Sequence, residues 1–422
     1  MICVIQLRRY PAYQPDGREA PMALLDLEVT LTDQEREIRD TARRFAQDVM
    51  RPAGTTLDRL TDPAEVIESR SVLWDVLKKY RELQLDVLDS SGGELSPADH
   101  ARLRFLTAEE MGWGDAGLAI SLGVSSFHRM FAQMSGRPAL IERFGRPDSQ
   151  DIGCWAVTEP DHGSDSLTVT ERHFGDPRLK ANCVARRDGD EFVVSGQKAA
   201  WVSNGTIATV ATLFCTIDPT QGFKGGGVCL VPLDLPGVSR GKPLDKIGQR
   251  ALNQGEIFFD DVRIPADYMI VGPDAYATVV EAVLTLANAS MGAIFVGLGR
   301  AALEYALGYA KERVQGGVPI FEHQSVKARL FKMFMQVEAA RSLAWRVMIY
   351  NTSNPPAVQY SIASKVFCTT TAFEAASAAL QIYGGNGLSR EYPIEKLLRD
   401  ARASMIEDGC NDVLSLVGAA KL

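Results

Sequence analysis

The sequence predicts a mostly α-helical protein interrupted by one central β region. Three observations carry this. Helical periodicity runs from Thr32 to about residue 145, short β-branched and aromatic runs fill about 153–265, and helical periodicity returns from about Asp274 to the end.

The first helical stretch, LTDQEREIRDTARRFAQDVM, sets Leu31, Ile38, Ala42, Phe45 and Val49 near 3.6-residue spacing behind an acidic first turn. FLTAEEMGWGDAGLAISLG and FHRMFAQMSGRPALIERFG continue the pattern. Residues 146–152, RPDSQDI, are polar, carry a proline and predict a linker. The runs GCWAVTEP, EFVVSGQ, TVATLFCTI, GGVCLVPL and GEIFFDDVRIP are bounded by Gly, Pro and Asp. Their spacing predicts an antiparallel barrel or sandwich rather than alternating βαβ units. KGGGV at 224–228 predicts a hairpin turn within that region. Three long helices are then expected, over 280–314, 323–350 and 359–385. The expected divisions are an extension over 1–26, disordered, with Met22 resembling a domain start; a helical domain over 27–150; a β domain over 151–268; and a helical bundle over 269–422.

The chain has 422 residues, a net charge of −8 and a pI near 5.4. An acidic chain without a basic face argues against nucleic acid as a partner. No apolar run is read as reaching 18 residues, so no membrane partner is expected. Seven cysteines at irregular spacing, without a C-x-x-C pair, predict reduced thiols and a cytoplasmic protein. The histidines give no metal-binding spacing. GLGRA at 297–301 lies inside a helical pattern and reads as helix packing by small residues, not as a dinucleotide loop.

Four stretches carry chemistry. WAVTEPDHGSD (155–165) is a strand end running into a loop with hydroxyls at Thr158 and Ser164. GQKAAWVSNG (196–205) sets Trp201 and Ser203 two residues apart on a strand, on the same side of it. ERVQGGVPIFEHQ (312–324) and QIYGGNGLSREYPIEKLLRDARASMIEDG (381–409) supply an arginine and glycines suited to close approach by a diphosphate. Read together, from about Leu31 to the C-terminus, these stretches resemble the acyl-CoA dehydrogenase family of flavoproteins.

That resemblance implies an N-terminal helical domain, a middle β-barrel and a C-terminal four-helix bundle, with FAD between barrel and bundle. Trp155, Val157, Thr158 and Ser164 match the loop beside the flavin's pyrimidine side, and Ser164 also faces the substrate. Trp201 and Ser203 match positions beside the dimethylbenzene ring and N5. Arg313, His323, Gln324, Gln381, Gly384 and Gly385 match positions that hold the diphosphate and adenosine, and Gln315, Cys410 and Asp412 also fall among the cofactor-binding positions. Some of these contacts cross subunits in the family, which implies a homotetramer or homodimer. The resemblance further implies an acyl-CoA or acyl-carrier substrate, and electron-transferring flavoprotein as electron acceptor.

Family members remove an α-proton from an acyl thioester while a β-hydride leaves to the flavin. The base is a glutamate before a glycine and a threonine. Here Asp408 falls at that position, followed by Gly409 and Cys410, while Glu407 reads as a solvated helix-end charge. Aspartate also serves as base in branches acting on cyclic acyl thioesters and in nitroalkane oxidases. A flavin oxidase and a non-catalytic member of the fold are therefore the alternatives. Two further departures are Gly316, where an aromatic is expected, and Asn288, where an arginine near the thioester carrier is expected. Asn288 and Gly409, with Ser164, are the expected substrate contacts.

Overall fold

The computed structural model describes residues 31–85 and 95–422. The expected extension over 1–26 and the start at Met22 lie outside the described residues. Helices α1 (Asp33–Phe45), α2 (Arg51–Asp58), α3 (Val72–Glu82), α4 (Pro97–Gly114), α5 (Ala116–Val124), α6 (Phe127–Met134) and α7 (Pro138–Phe144) precede the sheet. α1 starts at a capping box: the Thr32 hydroxyl accepts from the Glu35 N–H, and the Glu35 carboxylate accepts from the Thr32 N–H. A π-turn over Ala46–Met50 joins α1 to α2, so helical structure runs past the expected end at Met50 to Asp58. Asp115 caps α5 by accepting from the Leu118 N–H at 2.8 Å.

Eight strands form one sheet: β1 (Gly153–Ala156), β2 (Val184–Asp188), β3 (Glu191–Lys198), β4 (Val210–Thr216), β5 (Gly226–Pro232), β6 (Val238–Arg240), β7 (Ile257–Pro265) and β8 (Met269–Val271). Their order is β6-β7-β3-β2-β4-β5-β8, with β1 pairing β4 off this path. The expected antiparallel barrel is corrected on two counts. The sheet is open, with β6 and β8 at its ends, and it is mixed, because β1 and β2 both run parallel to β4. Short β-branched runs reveal strands but not their partners, and parallel pairing depends on residues far apart in sequence. The turn expected at KGGGV is displaced too: Gly226–Val228 lie in β5, and a 3₁₀ segment over Pro219–Gly225 makes the connection.

After the sheet come α8 (Pro273–Glu312), a small hairpin of β9 (Val314–Gln315) and β10 (Val318–Pro319), α9 (Gln324–Ser353), α10 (Val358–Tyr383), α11 (Ile394–Ser404) and α12 (Asn411–Ala419). α8 is long and apolar enough to cross a membrane, with an 18-residue window of mean hydropathy 1.8, which corrects the reading that no such stretch exists. That window is 72% buried within the fold, so its apolar residues are spent on core packing.

α4 and α8 approach each other closely at two glycines. A methyl on Gly112 would collide with the Ile294 backbone, and one on Gly297 with the Glu109 carbonyl. Beside this contact sits a buried ionic cluster. The Arg300 guanidinium donates to Glu109 at 3.0 Å and to Glu110 at 2.6 Å; Arg43 donates to Glu110 at 2.6 Å and Arg341 to Glu109 at 3.0 Å. Burial pushes the Glu110 carboxyl upward, but Arg300 and Arg43 together hold it down at about 2. Charge and close packing thus fix α1, α4, α8 and α9 together.

Candidate active site

A cavity opens between the helices and the sheet. Asp408 is the one carboxylate among the described residues that line it. Most of its wall is apolar: Met111, Ile120, Val124 and Phe127 from α4 to α6, and Val283, Leu286 and Met291 from α8. Trp155 of β1 closes one side and packs edge-on against Phe127, with ring centroids 5.5 Å apart.

Asp408 sits in a turn between α11 and α12 and has φ of 52°, a left-handed conformation that non-glycine residues seldom adopt. Gly409 follows at φ 91°, where a side chain would meet Leu414. Two contacts hold this turn. The buried Lys365 of α10 donates to the Gly409 carbonyl and to Asn411 Oδ1, both at 2.8 Å. The Cys410 N–H donates to Ser164 Oγ at 2.9 Å, tying the 155–165 loop to the turn that bears Asp408. Burial raises the Asp408 carboxyl from 3.8 to about 6, and the nearby Lys365 ammonium opposes this. Burial likewise lowers Lys365 to about 8, against the pull of Asp408 and Glu407.

Glu407 is not the solvated helix-end charge expected. Its Oε1 accepts from Gln249 Nε2 at 2.6 Å, and burial, with Asp408 beside it, raises it to about 7. Gln249 itself (φ 49°) is clamped by Asp400, which shares Lys396 with Asp115, each at 2.5 Å. Sequence reading missed this because its members lie near 115, 249, 365 and 400, where no local spacing links them. Lys365, the one charged residue in the run IASKVFC, was the available signal.

The remaining expected residues fall into two groups. At the sheet, Val157 and Thr158 offer carbonyls that accept from Lys198 Nζ and the Ala199 N–H, both at 2.9 Å. Lys198 is also paired with Glu159 at 2.7 Å, and this buried pair, which sequence reading did not single out, pins the loop. β3 ends at Lys198, so Trp201 and Ser203 lie in the turn beyond it rather than on the strand expected; Trp201 is 57% exposed, and its carbonyl and the Ser203 hydroxyl both accept from Gln254 Nε2. At the end of the bundle, Arg313 caps α8 and Gln324 opens α9. His323 Nε2 lies 2.9 Å from the Gln315 carbonyl. The stacked pair Tyr309–Tyr383 (3.9 Å), with Asn386 donating to the Tyr309 hydroxyl at 2.9 Å, ties the end of α10, which carries Gln381 and runs into Gly384 and Gly385, to the last turn of α8. Asp412 is exposed in the first turn of α12.

Asn288 departs from expectation. It is 0% exposed, donates to the Leu284 carbonyl at 2.8 Å within its own helix, and does not line the cavity. Helical register explains this: Ala287, Ser290, Met291 and Ile294 occupy the cavity face, and Asn288 is turned about 100° from Ala287.

These residues fit a planar, diphosphate-bearing cofactor. Trp155 Nε1 is buried without a partner, Trp201 presents an exposed ring, and at Gly384 and Gly385 there is open space where side chains would stand. Among the described residues, no group of three His, Cys, Asp or Glu is gathered to hold a metal ion.

The fold and a site suited to a planar, diphosphate-bearing cofactor are in keeping with a flavoprotein oxidoreductase, the class to which the comparisons lead. The acyl-CoA dehydrogenase C-terminal domain model matches residues 277–422 and the middle domain model matches 154–262. The mitochondrial short-chain specific acyl-CoA dehydrogenase of Mus musculus is 30% identical over 402 residues, covering 93% of this chain and 91% of that one. Butyryl-CoA dehydrogenase of Megasphaera elsdenii superposes with a TM-score of 0.80 at 25% identity, covering 93% of this chain and 99% of that one. Glutaryl-CoA dehydrogenase of Mycobacterium smegmatis gives a TM-score of 0.77 at 25% identity, covering 93% and 95%. The chain belongs to the acyl-CoA dehydrogenase family, whose members are FAD-bearing oxidoreductases acting on the CH–CH group.

Proposed function

We propose that this protein carries out α,β-dehydrogenation of an acyl thioester, with Asp408 as the base that removes the α-proton. The observation that carries this reading is the position of Asp408. It is the carboxylate on an otherwise largely apolar cavity, and burial raises it to about 6. A carboxylate in a dry pocket is a stronger base than one in water, and its pKa is brought nearer that of the proton it must take. The aspartate side chain is one methylene shorter than the family's glutamate, and an error of about 1 Å in placing a base can cost about a hundredfold. The left-handed turn at Asp408, fixed from behind by Lys365 and from the side by Ser164, holds the shorter side chain at the cavity wall.

When bound, FAD would supply the acceptor for the hydride that leaves the β-carbon. The 155–165 loop and Trp201–Ser203 would border its ring system, and the Arg313–Gln324 hairpin with Gln381–Gly385 would hold its diphosphate and adenosine. We further propose a homo-oligomer that brings these two groups together across subunits, and electron-transferring flavoprotein as the oxidant. Anaerobic titration with straight, branched and cyclic acyl-CoA thioesters should bleach the flavin absorbance of the wild type. It should not bleach that of Asp408→Asn within the same mixing time; an Asp408→Asn protein that turns over at the wild-type rate would sink the assignment.

A further inference from the structure

The cavity has a second polar region, which does not touch the base. Arg104 and Thr107 stand three residues apart on one face of α4, and both line the cavity. Ser290 of α8 faces them, with Arg104 Nη2 3.4 Å from its hydroxyl. Their surroundings are apolar: Ala108, Met111, Met291, Ile294 and Met348.

Two observations mark this cluster as a ligand site rather than a structural one. Thr107 is only 4% exposed, yet its hydroxyl has no hydrogen-bond partner among the described residues. A buried hydroxyl left unpaired is costly, and native folds rarely tolerate one without a reason. The second is the contrast between Arg104 and its neighbours. Arg102 is paired with Glu35, Arg43 with Glu110, and Arg300 with Glu109 and Glu110. Arg104 has no carboxylate partner among the described residues; the serine is its one polar contact there. Nor is it the counter-ion of Asp408, whose carboxyl feels burial and Lys365. The cavity therefore carries a carboxylate on one part of its wall and, on another, a guanidinium with no carboxylate partner among the described residues.

We propose that Arg104, Thr107 and Ser290 form an anion subsite that selects acyl thioesters whose acyl chain ends in a carboxylate. This rests on the dehydrogenase reading above. With the α-carbon at Asp408, an acyl chain lying along the apolar wall delivers its far end to this cluster. There the guanidinium offers two parallel N–H donors to a carboxylate, and the hydroxyls supply further donors. A methyl-ended chain of the same length would leave the half-buried cation without an anion and the buried Thr107 hydroxyl without a partner. Buried polar groups built to bond a substrate discriminate strongly against the analogue that lacks the partner.

The test uses the FAD-loaded enzyme and three CoA thioesters of equal chain length ending in carboxylate, carboxamide or methyl. The wild type should show kcat/KM at least about 100-fold higher for the carboxylate-ended thioester than for the other two. Arg104→Met should bring that ratio to about one or below while retaining turnover of the methyl-ended thioester. Thr107→Val should lower kcat/KM for the carboxylate-ended substrate alone. A wild type that prefers the methyl-ended or carboxamide-ended thioester overturns the subsite, as does an Arg104→Met enzyme with an unchanged ratio. The wild-type ratio decides the matter even if the arginine variant fails to fold. Flavin bleaching by methyl-ended thioesters but not carboxylate-ended ones removes the subsite and leaves the dehydrogenase reading intact; bleaching by none of the three removes both.

Discussion

At the residue scale, the two adjacent acids of the 402–412 stretch have unlike roles. Asp408 faces the cavity, whereas Glu407 is held by Gln249 on the other side of the turn. Asp408→Asn should lower kcat by about 10²–10⁴, the usual contribution of a positioned general base, and Glu407→Gln by less than about tenfold. Because the base must be ionised, kcat/KM should rise with pH through about 6 and then level off. The same shift has a stability consequence of opposite sense. A carboxyl whose folded value is raised from 3.8 to about 6 binds its proton more tightly in the folded state. Its ionisation therefore destabilises the fold, with no effect below about pH 4 and the full effect above about pH 6. Discounted for partial exposure, this amounts to about 1–2 kcal/mol. Asp408→Asn should thus melt higher than the wild type at pH 8 and level with it at pH 4 in thermal scans. Equal melting at both values would argue against the raised pKa.

At the element scale, the turn between α11 and α12 depends on an element that sequence reading placed but did not connect to it. Lys365 lies inside the predicted third long helix, and its ammonium reaches Gly409 and Asn411. Lys365→Met would strand a buried carbonyl and a buried amide oxygen, costing about 2–4 kcal/mol. It should lower kcat more than it changes KM, as measured by steady-state kinetics alongside urea denaturation. The long helices were legible because 3.6-residue periodicity is local, and Asp408 could be singled out because it stands before a glycine where the family resemblance implies the base. The open edges of the sheet, the parallel partners of β4 and the burial of Glu407 were not legible. Each depends on what a distant segment brings alongside, and alternation or spacing carries no record of that. Asn288 shows the same limit in a helix: its number was aligned, but the face it presents follows from how α8 packs.

At the scale of the whole molecule, the helices around the cavity are held by charge as well as by apolar burial. Arg300 neutralises Glu109 and Glu110 beneath the cavity wall. Arg300→Met would leave buried carboxylates without their main counter-ion, and breaking such a cluster from one side costs about 3–5 kcal/mol. Chemical denaturation should show that loss in full, while substrate preference should stay the same, because Arg300 is not among the cavity-lining residues.

The glycine crossing of α4 and α8 has a consequence for how this enzyme could acquire new substrates. The spacing of two walls of the cavity is set by main chain touching main chain at Gly112 and Gly297, so no exchange of side chains can draw those walls closer. Even alanine at Gly112 would force the helices apart, at a cost of about 1–3 kcal/mol, readable as a lowered melting temperature. Diversification of substrate range is thereby channelled into the side chains that project between two fixed rails, such as Ala108, Met111, Leu286 and Arg104 itself. A lineage carrying this crossing can change what it accepts by single substitutions along those rails without renegotiating the frame that holds them.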